Sequence, residues 1–64
     1  MGNKIAEARK EKRLSQEELA TKSGVSRATI SGLESGRITI TTTGTLQKIS
    51  EALEKPVSEI FFTN

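Results

Sequence analysis

The chain contains no cysteine, histidine, tryptophan or tyrosine. Without cysteine it has no disulfide, and without cysteine or histidine the usual zinc ligand sets cannot be assembled. Nothing in the sequence resembles a nucleophile–base pair or a phosphate-cradling loop, and the carboxylates are scattered over short amphipathic segments. Catalysis is therefore not expected, and no catalytic residue, metal or cofactor is assigned. Proline occurs once, at Pro56, and the only aromatics are Phe61 and Phe62. Long apolar runs are missing too. The longest is Ile60-Phe61-Phe62, too short for a transmembrane helix or the core of a secretory signal. The opening MGNKIA is like a myristoylation signal but carries Ala6 where serine or threonine is required. The expectation is a cytoplasmic protein with no membrane partner and no small-molecule ligand.

Neither sign of charge is in strong excess. Ten lysines and arginines stand against eight acidic residues, a formal net charge of +2, which alone does not imply a polyanionic partner. The distribution is more telling: residues 1–37 hold eight basic and five acidic side chains, and residues 38–64 hold two and three. Sixty-four residues suffice for one domain. At that size folding buries only roughly 60% of the surface the unfolded chain exposes, so stability is expected to be marginal.

What is present is a succession of short helical signals. Ile5, Ala8 and the aliphatic stem of Lys12 line one side of a first segment over residues 3–12. Ser15 and Glu18 have the spacing of a capping box, and Leu14 and Leu19 that of a hydrophobic staple across it. A helix over 16–23 follows, stopped by Gly24, the residue best suited to a left-handed cap. The device repeats: Ser26 caps a helix over 27–35, Val25 and Ile30 take the staple positions, and Gly36 ends it. Only a tight turn fits between these two helices, which is helix-turn-helix geometry. RITITTTG (37–44) reads as loop, with the Ile38-Thr39-Ile40-Thr41 alternation leaving a short edge strand open. Leu46, Ile49 and Leu53 define a helix over 45–54. Pro56 forces a break, and Val57, Ile60 and Phe61 mark a last helix over 57–62.

QEELATKSGVSRATISGLES resembles the helix-turn-helix of the phage-repressor-like DNA-binding proteins, the XRE family. The resemblance extends over the lead-in KEKRLSQEELA, the turn SGVS, the segment ISGLESGR and the closing TLQKISEALEKPVSEIFF. Leu19, Val25, Ile30 and Leu33 fall where the family is apolar, Ala20 where two helices cross closely, and Gly24 at the left-handed turn. The resemblance implies an all-α, compact five-helix lambda-repressor-like domain over 1–64. Two departures stand out. Arg13 and Glu54 occupy positions where the family often has glycine, so both are expected at positive φ. The loop 37–44 is also about one residue longer than the commonest form.

Helix residues advance by about 100°. With Ile30 inward, Leu33 and Glu34 lie near the core, Ala28, Gly32 and Ser35 point away, and Ser31 and Thr29 sit on the flanks. In such a motif the N-terminal part of the second helix approaches base edges. Arg27 is expected to pair with guanine and Ala28 to touch a thymine methyl, with Ser31 a permissive donor and acceptor. Gly32, placed outward, would let the helix approach the groove closely; in the family its position often carries a long polar reader. Gln16, Ser26, Thr29 and Arg37 are the expected phosphate contacts, Gln16 at a helix N-terminus where anions are favoured. Arg37 is a weaker candidate, together with Lys10 and Arg13, and Thr41 to Thr43 could either offer hydroxyls to phosphate or cap the following helix. By resemblance, Arg9 pairs with Glu34.

These readings converge on a sequence-specific transcriptional regulator, a repressor that binds double-stranded DNA at a palindromic operator as a homodimer. With no room for a sensor domain, occupancy would follow protein concentration or an outside partner. The alternative is an antitoxin or protein-interaction module on the same fold. By resemblance Ile60 and Phe61 are the buried pair, and since Phe61 and Phe62 cannot both enter so small a core, Phe62 is expected in or beside a dimer interface with Ile60 or Phe61 supporting it.

Overall fold

In the computed structural model, which describes residues 2–62, every helix places at least one side chain beyond the reach of solvent. The helices are α1 (Ile5–Glu11), α2 (Gln16–Ser23), α3 (Arg27–Ser35), α4 (Thr43–Leu53) and α5 (Val57–Ile60). Ile5, Leu19, Ile30, Ile49, Leu53 and Ile60 are the largest wholly buried side chains. Each is worth about 1.5–3 kcal/mol relative to exposure. Ala8, Val25, Leu33 and Ala52 complete the core, with Leu14, Ala20, Ile38 and Phe61 packed partly against it. The ranges of α2 and α3 coincide with those expected from the capping pattern, and the architecture is the all-α, five-helix lambda-repressor-like one.

The ends of the other helices differ, each for a local reason. α1 begins two residues later than its apolar spacing suggested. Asn3 is drawn into a two-residue antiparallel pairing of β1 (Gly2–Asn3) with β2 (Phe61–Phe62), in which it lies opposite Phe61. Its side-chain oxygen still accepts the Ile5 N–H at 3.2 Å, so it serves the helix from outside. α4 begins two residues earlier, because the Thr42 hydroxyl accepts the Thr45 N–H at 3.2 Å and caps a first turn that includes Gly44. α5 ends at Ile60 rather than at 62, where the backbone turns extended to make the β pairing. Residues 37–42 form a loop without a strand of their own, so the Ile38–Thr41 alternation is not an edge strand.

Arg13 and Glu54 both adopt φ 59°. For a side-chain-bearing residue this conformation costs roughly 1–2 kcal/mol. At Glu54 a 2.6 Å ion pair with Lys12 accompanies it, tying the end of α4 to the end of α1. No helix among the described residues is long and apolar enough to cross a membrane.

Candidate nucleic-acid interface

The helix-turn-helix is assembled from two serine caps and two left-handed glycines. Ser15 accepts the Glu18 N–H at 3.0 Å while the Glu18 carboxylate accepts the Ser15 N–H at 2.8 Å, so α2 starts with a closed capping box. It stops at Gly24, φ 76°, whose N–H donates to the Ala20 carbonyl. Val25 then drops into the core, and the Ser26 hydroxyl accepts the Thr29 N–H at 3.1 Å to open α3. Such a cap is worth about 1 kcal/mol. α3 ends at Gly36, φ 85°.

The last turn of α3 is held by side chains from the segments before α3. Arg9 donates from Nε to Glu34 Oε2 at 2.8 Å and from Nη2 to Oε1 at 3.1 Å, a two-pronged pair, and from Nη1 to the Leu14 carbonyl at 2.7 Å. Gln16 adds a third donor to Glu34, at 3.0 Å. The pair is largely withdrawn from water, with side chains 13% and 8% exposed. Burial alone would push the Glu34 carboxyl upward. The hydrogen bonds from Arg9 and Gln16, helped by the charges of Arg9 and Lys10, outweigh it and hold Glu34 below the ordinary carboxylate range. The hydrogen bond to Glu34 raises Arg9 correspondingly. Asn3 donates to the Leu33 carbonyl at 2.9 Å, so the segment before α1 also reaches this turn.

The expected reading surface divides into an open part and a covered part. Arg27 and Ala28 are exposed at the start of α3. Ser26 is exposed, and its hydroxyl donates to Thr29 Oγ1 at 2.9 Å, which leaves the half-buried Thr29 hydroxyl's own proton for an outside acceptor. Gln16 stands half-buried at the first position of α2. One of its amide hydrogens serves Glu34, and the amide has a second to offer. Arg37 is exposed but lies back along α3, with Nε 3.1 Å from Ser35 Oγ and Nη2 3.4 Å from Ser31 Oγ.

Two assignments require correction. Gly32 is buried, not open to a groove. The Ile38 side chain lies over it, and a Cβ built at position 32 would stand 2.6 Å from Ile38 Cγ1 and nearer still to Cδ1. The glycine is there because the loop returns across the helix: Ile38 N–H donates to the Gly32 carbonyl at 3.0 Å. Helical periodicity turns residue 32 away from the core but does not fix where Ile38 lies. Ile60 is the second correction. It is 0% exposed, inside the core, and its carbonyl accepts the Lys4 N–H at 2.7 Å, so it has no surface to offer a second copy. Phe61 is half-buried, and the Phe62 side chain lies outside the described residues. Ile38 and Asn3, both important to how α3 is held, escaped the sequence reading. The signal for Ile38 was the mid-helix glycine itself, since such a residue often marks a close approach.

A model of the helix-turn-helix family matches residues 5–60. The chain is also 36% identical over 61 residues to the HTH-type transcriptional repressor RghR of Bacillus subtilis (strain 168), a match covering 95% of this chain and 45% of that protein. The chain thus spans less than half the length of that relative. With capped α2 and α3 about the Gly24 turn, and the family match running from the first residue of α1 to the last of α5, this chain belongs to the XRE-type helix-turn-helix family.

Proposed function

We propose that this chain is the DNA-reading part of a transcriptional repressor that occupies a two-fold operator as a homodimer. The observation that carries the reading is the asymmetry of α3. Its C-terminal turn is fastened by Arg9 and Gln16 through Glu34, while Arg27 and Ala28 at its N-terminal end stand exposed. A helix held in this way can present base-reading side chains to a major groove in a fixed orientation. Gln16 and Thr29 keep donors for phosphates that set the register. Family membership and the likeness to a transcriptional repressor support the same reading.

Selection from a pool of random duplexes tests it. The purified chain is expected to enrich two inverted half-sites about one DNA turn apart, near 34–36 Å. Arg27→Ala should lose about 1–3 kcal/mol and relax preference at one base pair per half-site. A pool that remains random would reject the reading. Phe61 and Phe62 are the proposed dimer contacts, and sedimentation of Phe62→Ser decides between outcomes. A folded variant that no longer dimerises supports them, and one that dimerises like the parent rules them out.

A further inference from the structure

The second turn of α3 has no long side chain of its own on its exposed side. Ser31 and Ser35 stand there on the same side as Ala28, and the position between them is Gly32. A long basic side chain lies across this stretch, but it comes from beyond the helix. We propose, given the DNA-binding reading above, that Arg37 is a base-reading residue for a guanine and not a backbone phosphate contact, so that the chain following the recognition helix completes its reading surface.

Three observations carry this. The first is direction. Arg37 leaves the chain after the Gly36 cap, yet its Nε lies 3.1 Å from Ser35 Oγ and its Nη2 3.4 Å from Ser31 Oγ. Residues 31 and 35 are one turn apart, so the guanidinium runs back along the exposed side toward Ala28. A side chain reaching sideways for a phosphate would diverge from the helix instead.

The second is that the base of this side chain is anchored on both sides. Ahead of it, the Ser35 hydroxyl donates to the Gly32 carbonyl at 3.2 Å and accepts the Arg37 N–H at 3.4 Å. Behind it, Ile38 donates its N–H to the same carbonyl and covers Gly32 with its side chain. A Cβ at position 32 would press into the Ile38 side chain that lies over it. The mid-helix glycine is thus what allows the returning chain to lie so close to the helix.

The third is chemistry. Two of the guanidinium's N–H donors face serine hydroxyls, and no carboxylate among the described residues pairs with Arg37. Both Nη1 hydrogens and one Nη2 hydrogen stay available as a planar fork, which matches O6 and N7 of guanine in the major groove.

Arg37→Lys separates the two roles, because lysine keeps the charge and loses the fork. The measurement is binding to the duplex selected by the parent chain, to its single-base-pair variants and to random duplex DNA. Arg37→Lys is expected to lose much less on random duplex than on the selected one. It should lose about tenfold or more on the selected duplex and lose discrimination at one base pair in each half-site. Arg37→Ala should show the same loss of discrimination with weaker binding to all DNA, and Ser31→Ala with Ser35→Ala should blunt discrimination at that same base pair. If Arg37→Lys ranks the variants as the parent does, or Arg37→Ala loses equally on selected and random DNA, Arg37 is a phosphate contact and the proposal is overturned. A parent chain that selects no sequence removes the DNA-binding reading and this assignment together, and that result is seen before any variant is made.

Discussion

The two ends of α3 are built on different plans. Its first turn buries Ile30 in the core and is capped by Ser26 alone, while Arg27 and Ala28 face solvent. Its last turn is gripped by four separate parts of the chain. Asn3 takes the Leu33 carbonyl, Arg9 and Gln16 take Glu34, Arg37 takes Ser35, and Ile38 covers Gly32. A helix this short is marginal by itself, so its orientation has to come from contacts at one end or the other. Fastening the far end leaves the Arg27 and Ala28 side chains without a hydrogen bond or ion pair among the described residues. The segments that fasten it range from β1 to the loop after α3, so the near end inherits rigidity from the whole fold without being covered by it.

The largest way to break this contrast is Arg9→Ala. Glu34 would remain in a site 8% exposed with only Gln16 to satisfy it, and the Leu14 carbonyl would lose its donor as well. An exposed pair is worth about 0–1 kcal/mol, and breaking a buried one costs about 3–5 kcal/mol. This intermediate case should cost about 2–3 kcal/mol in urea unfolding. In a domain of this size that corresponds to a loss of roughly 10 °C or more in Tm. An unchanged Tm would mean that the last turn does not depend on the pair.

A smaller effect sharpens the role of Gly32. In an open helix interior, glycine to alanine gains about 1 kcal/mol. Here the added methyl meets Ile38, so Gly32→Ala should yield no such gain in the parent chain and should yield it once Ile38→Ala has removed the obstruction. A double-mutant cycle measured by thermal unfolding should return a coupling of about 1 kcal/mol. Additive effects would show that Ile38 does not rest on Gly32 in solution.

The smallest effect is a matter of pH. Glu34 has a folded-state pKa below its unfolded value, so the unfolded chain binds more protons in acid. The stability contributed by its charge is fully present above about pH 4.3, the ordinary glutamate value. It is lost as the pH falls through the folded-state pKa. Glu54, lowered by its hydrogen bond to Lys12, acts in the same direction. Urea midpoints followed from neutral pH into acid should therefore fall in the parent chain and fall less steeply in Glu34→Gln. Parallel curves would remove Glu34 from the acid response.

Residues close in sequence determined the elements that depend only on their neighbours. Ser15 with Glu18 and Ser26 with Thr29 satisfy helix starts within three residues, and Gly24 and Gly36 supply the positive φ that ends each helix, so α2 and α3 were legible to the residue. The apolar spacing likewise marked Ile5, Leu19, Ile30, Ile49 and Leu53 as core, because helix period alone decides which face turns inward. Where an outcome depended on a partner distant in the chain, local pattern was silent or misleading. Asn3 and Phe62 leave their helical patterns because β1 and β2 pair in a two-residue ladder. Gln16, at the first position of its helix, also serves as a third donor to Glu34. Gly32 shows the limit most plainly. The helical wheel gives the direction of its missing side chain but not what lies in that direction. That was decided by the loop after Gly36, whose path is set by packing and by one carbonyl accepting the Ile38 N–H, not by any preference of its own residues.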